Sequence, residues 1–532
     1  MGEIVPRDVA LAWWQEQIER ESYAGSPEDL PDAAAQRYLR ENGLLALTPG
    51  GWGWVVLGPA HSDADSALRQ NYWRLVRTVL RGYAPAVIDR ISAVRLFMGE
   101  ASTPALLHVT HASNASERKL EVVPGLSIAI RPLPRTEDQL GGEEMEVDGV
   151  ALTVLPPARV LLSLTVTDIR NHRDLVLTWL QSLVLSQPQL DEAYERDPRP
   201  VLLARMGHLA EGVGNRRLAE QVSRVVNAHQ RNRPSRTITG VGRDLVIPYY
   251  IAAQPSLREP WLDRFRAKLA RAAEVGARVV REIDVDLTPA PRATVLRQAR
   301  TAKAEDTYHS TTIEGYRITR EHVRAVLAGA PLDSPDRAEM ERLMAVKGYS
   351  QAFERTLQFV TDAPDLVRLS EAMVLDLFVE LWGPSVDAQI MTTAELRGWR
   401  QAPVYIRGSS YVPPAPAKVP QMMGVWADTM NRMEVDGVTR AAVAHWAFVH
   451  VHPFMDGNGR LSRLLMNLIL CSARLPWTII RAEERREYFD ALEQADLRED
   501  YAPFSRFIAT RVSRALEVDH DPASAQRISA GS

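Results

Sequence analysis

A short stretch of the chain combines a base, a carboxylate, a small-residue turn and two arginines. It runs from residue 452 to residue 463 and reads HPFMDGNGRLSR. Gly457 and Gly459 carry no Cβ, so backbone N–H groups can converge on an anion there. Beyond the turn, leucines recur at helical spacing, at positions 461, 464, 465 and 468. The turn is therefore predicted to lie at a helix N-terminus, where phosphate is favoured.

The charged residues of this stretch have types that suit nucleotide chemistry. Arg460 and Arg463 are three residues apart on the predicted helix, so both reach one side and neutralise phosphate oxygens. Asp456 offers one hard oxygen ligand, which suits Mg²⁺ held by one carboxylate, phosphates and water. His452 is a candidate base for an incoming hydroxyl. The alternative, a helix-loop-helix turn with a satisfied histidine, requires neither the carboxylate nor the arginines.

The stretch resembles the signature of the Fic family, HPFxDGNGRxxR, with every specified position filled. The resemblance implies transfer of AMP from ATP to a Ser, Thr or Tyr hydroxyl of a target protein or of the chain itself. His452 would be the catalytic base, and Asp456 would carry Mg²⁺. The nucleotide-binding residues that the resemblance implies are Gly457, Asn458, Gly459, Arg460, Arg463 and, beside the adenine, Tyr488. For Tyr488 the competing interpretation is a core tyrosine.

A second segment resembles the family's inhibitory pattern, Ser/Thr-x-x-x-Glu-Gly/Asn. It reads STTIEG, from Ser310 to Gly315. Ser310 and Glu314 are four residues apart and share one helix face, with Gly315 as the C-terminal stop. The resemblance implies that Glu314 pairs with Arg463 and competes with the γ-phosphate for its guanidinium. The alternative is a helix-end glutamate exposed to water.

A third segment is predicted to form a β-hairpin. Two short extended runs flank Gly408-Ser409-Ser410. The resemblance implies a flap that aligns the target by adding a strand to its edge. The alternative is a surface hairpin of no special role. The predicted flap residues are Val404, Tyr405, Ile406, Arg407 and Gly408.

Composition indicates an ordinary globular protein. The chain has 532 residues, a hydrophobic fraction of 45% and a net charge of −4, which gives no global bias toward nucleic acid or membrane. Cys471 is the single cysteine, so no intrachain disulfide forms. The N-terminal residues lack a signal pattern, and no apolar run reaches the roughly 20 residues of a membrane span. A cytoplasmic location is expected.

Four regions are predicted along the chain. The fold class is mainly α, with an all-helical Fic core preceded by an α+β N-terminal region. The regions are 1–75, winged-helix-like; 76–240, mixed α/β; 241–515, the catalytic domain with the inhibitory helix; and 516–532, a disordered tail. A linker at 231–236 marks the boundary near residue 240.

The N-terminal region leaves two functional interpretations open. Helices followed by a short hairpin, and then the segment from Val150 to Arg159, resemble AbiEi-like antitoxins and regulators. The corresponding alternative is a DNA-binding regulator whose Fic domain senses nucleotide. Residues 1–60 hold nine acids and four arginines, which opposes phosphate contacts, although 61–120 are richer in arginine. Other open alternatives are transfer of another nucleotide, removal of AMP, a partner protein at this region and a homo-oligomer.

Overall fold

The computed structural model describes residues 6–20, 22–57, 63–100, 103–112, 116–133, 140–230, 259–330, 336–363, 365–396, 398–406, 408–409 and 411–520. By its contacts the chain divides into two compact units. The first comprises Met1–Ala267 with Tyr405–Val412, and the second comprises Lys268–Val404 with Pro413–Ser532. The predicted linker at 231–236 and the boundary near 240 lie outside the described residues.

The first unit begins with two helices and a small antiparallel sheet. Asp32 caps the second helix by accepting hydrogen bonds from the backbone N–H groups of Ala34 and Ala35. The hairpin predicted around Pro49–Gly51 is confirmed, and Gly50 has the positive φ of 77° that its turn requires. The elements are α1 (Pro6–Glu19), β1 (Ala24–Gly25), α2 (Ala33–Glu41), β2 (Leu45–Leu47) and β3 (Trp54–Val56), in the sheet order β1-β3-β2.

A six-stranded mixed sheet forms the centre of the first unit. Short apolar runs at residues 105–110, 128–130 and 152–155 predict strands, and the structure has strands at all three positions. The order is β6-β7-β5-β4-β9-β8, with the β5–β7 and β4–β9 pairs parallel and the other pairs antiparallel. The strands are β4 (Ala86–Ile88), β5 (Leu106–Ala112), β6 (Arg118–Val123), β7 (Leu126–Leu133), β8 (Glu143–Val147) and β9 (Val150–Val154).

Helices cover this sheet and share one apolar core with it. The helices are α3 (Ala64–Gln70), α4 (Tyr72–Arg81), α5 (Arg90–Phe97), α6 (Pro157–Ser163), α7 (Val166–Asn171), α8 (Arg173–Ser182), α9 (Gln187–Arg196), α10 (Pro200–Gly212) and α11 (Arg216–Gln230).

The second unit is helical, as predicted. Two of its helices, α18 and α19, are buried along nearly their whole length and form its centre. The predicted disordered tail is wrong for residues 516–520, because they continue the last helix. The helices from residue 260 onward are α12 (Pro260–Ile283), α13 (Arg292–Ile313), α14 (Arg320–Leu327), α15 (Arg337–Asp362), α16 (Glu371–Asp387), α17 (Val419–Arg432), α18 (Gly437–Val451), α19 (Asn458–Ser472), α20 (Arg485–Arg498) and α21 (Ala502–His520).

The β-hairpin predicted around Gly408-Ser409-Ser410 is wrong for the described part of that segment. No strand runs through it, and a turn with Ser409 N–H donating to Ile406 O at 3.1 Å stands in its place. Pro403, Pro413 and Pro414 lack N–H donors, which leaves too few ladder bonds for paired strands. Arg407 lies outside the described residues. Among the helices that the structure describes, none combines the length and apolar character that crossing a bilayer requires.

Candidate functional site

The predicted phosphate cradle lies between two buried helices. Helix α18 ends at Val451, and His452 follows in the left-handed region at φ 51°. Gly457 has φ 88°, and α19 begins at the next residue. The first intrahelical bond of α19 runs from Leu461 N–H to Gly457 O at 3.0 Å. The amides of the first turn precede this bond, so they are free of helical acceptors and face outward from the helix N-terminus, as the sequence predicted.

His452 is held as a neutral base. Its Nδ1 lies 3.2 Å from Val449 O, and a carbonyl only accepts, so Nδ1 carries the proton and Nε2 keeps its lone pair. Burial lowers the pKa of His452 to about 4, against the opposing effect of that backbone hydrogen bond. Arg400 Nε donates to the His452 carbonyl at 2.7 Å and fixes the backbone. The imidazole is therefore ready to accept a proton at neutral pH.

The loop after His452 is fixed by packing and by one amide side chain. The Phe454 ring stacks on Phe378 with centroids 3.8 Å apart and planes 5° apart. Asn458 Oδ1 accepts from Phe454 N–H at 3.0 Å, and Asn458 Nδ2 donates to Phe454 O at 2.8 Å. The Asn458 side chain thus holds the loop. Only its backbone N–H remains for the phosphate contact predicted from the sequence.

Arg460 is buried without a hydrogen bond. Its side chain has 0% exposure, and its guanidinium lies 4.6 Å from the Trp382 ring and 5.2 Å from the Tyr316 ring. None of its three guanidinium nitrogens makes a hydrogen bond within the described residues, and its ion pair with Asp456 is long, at 3.7 Å. A buried cation without hydrogen-bond acceptors destabilises the folded state unless a ligand supplies them.

Arg463 and the inhibitory segment meet as the resemblance implied. Arg463 Nε donates to Ser310 Oγ at 2.7 Å, and Nη2 donates to Ser310 O at 2.9 Å and to Glu314 Oε1 at 2.6 Å. Burial alone lowers the pKa of Arg463, and the charge of Glu314 reverses the direction and raises it. Nη1 of Arg463 has no hydrogen-bond partner in the described part of the chain.

The Glu314 carboxylate also fills space above the turn. A Cβ at Gly459 would lie 2.3 Å from Glu314 Oε1, so a larger residue there would displace the carboxylate. Helix α13 ends at Ile313, and Gly315 follows Glu314 with φ 94°, the conformation expected of a helix stop. The exposed helix-end glutamate considered above is therefore not what the structure contains.

Asp456 fits a metal site with a single protein ligand. Within the described residues, no group of three His, Cys, Asp or Glu side chains surrounds a common point. Asp456 Oδ1 accepts from Gly457 N–H at 2.6 Å, and the side chain is 63% exposed. One outward carboxylate beside a phosphate cradle suits Mg²⁺, which keeps water and phosphate oxygens as its other ligands.

Tyr488 lies in the core and not at a nucleotide base. Its side chain is 1% exposed, and its hydroxyl lies 2.7 Å from His445 Nε2. Its ring packs against Phe504 and Phe507. The sequence could not separate the two positions, because the placement beside the adenine rested on the family resemblance alone. Tyr488 is therefore a core residue and not part of the candidate nucleotide site.

The predicted flap residues fall in different units. Val404 belongs to the second unit, and Tyr405, Ile406 and Gly408 belong to the first. Sequence reasoning also missed residues that contact the motif. Arg400 supports His452, Phe378 supports Phe454, and Trp382 and Tyr316 lie against Arg460. The usable signals were Tyr316 directly after the inhibitory Gly315 and Arg400 in the Gly398-Trp399-Arg400 run; nothing marked Trp382.

Comparison with family models identifies this part of the chain. Residues 369–470 match the Fic/DOC family. The chain therefore contains a Fic/DOC domain, and the resemblance drawn from the signature is confirmed.

Curated relatives match less than half of the chain. Two of them, from Nematostella vectensis and Aedes aegypti, are each named protein adenylyltransferase Fic. The first is 31% identical over 242 residues, which cover 43% of this chain and 51% of the relative. The second is 31% identical over 226 residues, which cover 42% of each. The chain spans about half the length of the curated relatives it matches, or less.

Solved structures with some similarity are also Fic proteins. A Fic domain containing signaling protein from Bacteroides thetaiotaomicron is 20% identical, with a TM-score of 0.37 and coverage of 46% of this chain and 95% of that one. Fic-1 (aa134 - 508) from C. elegans is 21% identical, with a TM-score of 0.38 and coverage of 66% and 93%.

Proposed function

We propose that this chain is a protein adenylyltransferase, which transfers AMP from ATP to a Ser, Thr or Tyr hydroxyl of a target protein or of the chain itself. One observation carries the proposal. A neutral, half-buried imidazole adjoins a helix N-terminus where Arg460 keeps three guanidinium nitrogens without hydrogen bonds. Buried donors without partners favour an anionic ligand with many hydrogen-bond acceptors, and a triphosphate is such a ligand.

The reaction follows from the position of the base. His452 Nε2 takes the proton of the target hydroxyl, and the hydroxyl oxygen attacks the α-phosphorus. A new P–O bond forms, the bond to the β-phosphate oxygen breaks, and pyrophosphate leaves with the electron pair. The first-turn amides of α19, at Gly459 and its neighbours, stabilise the charge on the phosphate oxygens. Arg460 and Arg463 hold the outer phosphates.

Asp456 would hold the divalent cation. Its outward carboxylate is the oxygen ligand on the chain, and bound Mg²⁺ would neutralise phosphate charge. The residue does not contribute a proton or a nucleophile in this proposal. Its hydrogen bond from Gly457 N–H orients one oxygen, and this leaves the other for the cation.

Glu314 is proposed to inhibit the reaction by occupying the outer phosphate position. Its carboxylate accepts a hydrogen bond from Arg463 Nη2 at 2.6 Å and fills the space above Gly459. A γ-phosphate needs the same guanidinium, so the two anions compete. In the reverse direction, the same carboxylate would orient a water molecule that removes AMP.

The test uses the inhibitor-free variant. Glu314→Gly, incubated with labelled ATP, Mg²⁺ and host lysate, should incorporate label at least roughly tenfold faster than wild type, because a competing ligand has been removed. Mass spectrometry should find AMP on protein hydroxyls. The matched control is the double variant Glu314→Gly, His452→Ala, which should bind ATP and transfer nothing. Label equal to wild type in the first variant would refute the inhibitory role, and label in the second would refute the base.

A separate proposal concerns the N-terminal region, which carries helices followed by the β2–β3 hairpin. We propose that it binds DNA or a partner protein, and the element order supports this. Binding of the full chain to duplex DNA should then weaken as salt rises, with a slope that Arg→Ala changes at Arg69, Arg74 or Arg77 reduce. Absence of any salt-dependent binding would leave the partner-protein alternative.

A further inference from the structure

Trp382 places an unpartnered donor beside the phosphate cradle. The residue lies near the end of α16, far upstream of the motif in sequence. Its indole Nε1 is buried and makes no hydrogen bond within the described residues. A Cβ at Gly457 would lie 2.9 Å from that nitrogen. The indole N–H is therefore next to the glycine from which α19 starts.

The same indole ring contacts the arginine of the motif. Arg460 lies 4.6 Å from the Trp382 ring centroid, within the range of a cation–π interaction. The ring also occupies the space around Gly457, so it limits where the guanidinium can move. Trp382 thus touches both the start of the helix and a fully buried cation.

Unsatisfied donors concentrate at this turn. Trp382 Nε1, the three Arg460 nitrogens and Arg463 Nη1 all lack hydrogen-bond partners in the described part of the chain. Indole and guanidinium groups donate and do not accept, so only an acceptor-rich ligand satisfies them together. Leaving so many donors buried and unpaired costs free energy, which a bound polyanion would recover.

We propose that Trp382 is a nucleotide-binding residue with two roles. Its Nε1–H donates to a phosphate oxygen of the nucleotide held above the Gly457–Gly459 turn. Its ring orients the Arg460 guanidinium toward the same phosphates. This deepens the proposed function and rests on it, since it assigns a further residue to the phosphate end of that site. The second role makes Trp382 a positioning residue for Arg460.

The test separates the two roles with two substitutions. Both are made in the full chain carrying Glu314→Gly, so that no carboxylate competes. Trp382→Phe removes the N–H and keeps a ring beside Arg460, whereas Trp382→Leu removes both. Isothermal titration measures the affinity for ATP and for inorganic tripolyphosphate, which has neither base nor sugar. Trp426→Phe is the matched control, because its indole N–H donates to Ala444 O at 3.1 Å inside the helical core.

Trp382→Phe should weaken both ligands by about tenfold, since a hydrogen bond to a charged oxygen is lost. Trp382→Leu should weaken both further, and Trp426→Phe should bind both like the parent variant. Unchanged affinity in Trp382→Phe would overturn the donor role, as would a loss seen for ATP alone. Equal losses in the two Trp382 variants would overturn the orienting role.

The parent variant distinguishes failure of this inference from failure of the proposed function. If Glu314→Gly binds tripolyphosphate but not ATP, the adenylyl transfer proposal fails, and the Trp382 variants still test the phosphate contact. If it binds neither ligand, both proposals are wrong. If it binds both ligands and only the Trp382 prediction fails, the proposed function stands without this residue.

Discussion

Two arginines, the partly buried Arg90 of the first unit and the fully buried Arg460 of the second, differ in how their charge is satisfied. In the first unit, Arg90 donates from Nε and Nη2 to the two oxygens of Asp168 at 2.9 and 2.8 Å. Asp168 also accepts from the backbone and the hydroxyl of Thr165. In the second unit, Arg460 lies on aromatic rings and makes no hydrogen bond within the described residues.

The difference indicates that Arg90 stabilises the fold, whereas Arg460 is available to bind a ligand. In a hydrogen-bonded ion pair each charge is compensated by its partner, and removing one partner leaves the other charge uncompensated. Arg460 has no hydrogen-bonded partner of this kind within the described residues, so its burial lowers the stability of the fold. Stability that is given up at one point of a well-packed unit is typical of a binding site.

The largest effect is expected from Arg460→Met in the Glu314→Gly chain. ATP affinity and AMP transfer should fall by roughly 100-fold or more, because a buried cation that binds phosphate is lost. The unfolding temperature should stay the same or rise, since an apolar side chain of similar length replaces an unpaired charge. Titration calorimetry and thermal unfolding measure the two quantities. A large drop in unfolding temperature would make Arg460 a structural residue and erase the contrast.

Arg90→Met should have the opposite signature. Asp168 would remain buried without its partner, and the free energy of unfolding should fall by about 3 kcal/mol. Affinity for ATP should not change, because Arg90 belongs to the first unit. Burial raises the pKa of Asp168, but the hydrogen bonds from Arg90 and Thr165 outweigh it and lower that pKa. The pair therefore stabilises at neutral pH and loses its effect on acidification, so the deficit of the variant should shrink at low pH.

Asp306 tests a third condition, a buried acid that accepts a hydrogen bond from an uncharged donor. Tyr349 Oη donates to Asp306 Oδ2 at 2.7 Å, and burial raises the pKa of Asp306 to about 6, opposed by that hydrogen bond and by Arg463. A raised pKa means that the carboxyl costs stability increasingly as pH rises from its ordinary value near 3.8 to about 6, and that the cost is constant above that. Asp306→Asn should therefore gain about 2 kcal/mol at pH 8 and little at pH 4. Denaturant unfolding at both pH values decides; equal gains would contradict a titrating Asp306.

The smallest effect concerns the pH profile of transfer. His108 in the first unit and His452 in the second both have a pKa lowered to about 4, in each case mainly by burial. Only His452 adjoins the cradle, so the rate of AMP transfer by Glu314→Gly should stay level from pH 8 to about 5 and fall below that, as the imidazole becomes protonated. Initial rates across this range test it. Half-maximal activity near pH 6.5 would show an ordinary, solvated base.

Sequence reasoning succeeded where local chemistry decides the structure. The Gly-Asn-Gly turn, the helix after it and the β2–β3 hairpin depend on residues close together in the chain. The contact between Glu314 and Arg463 was also expected, but only through the family resemblance. The strands of the mixed sheet followed from short apolar runs.

The failures share a physical cause. Whether Tyr488 points into the core or toward a base depends on how α20 packs on α18 and α21, which periodicity does not determine. The position of Trp382 beside Gly457 depends on the rotation of α16, and nothing in its local sequence marks it. The predicted hairpin is absent because proline at both ends removes ladder donors, and these prolines are visible in the sequence.

The position of Glu314 at the end of α13 has a kinetic consequence. Its backbone N–H bonds Thr312 O, and the Ser310 carbonyl is taken by Arg463, so the last turn lacks its regular helical bond. Unwinding of that single turn withdraws the carboxylate, while Asp306 keeps the rest of the helix in register through Tyr349. Helix ends fray and reform on the order of a microsecond. Opening and closing of the cradle can therefore be far faster than turnover, and an activator needs only to shift how often this turn is unwound.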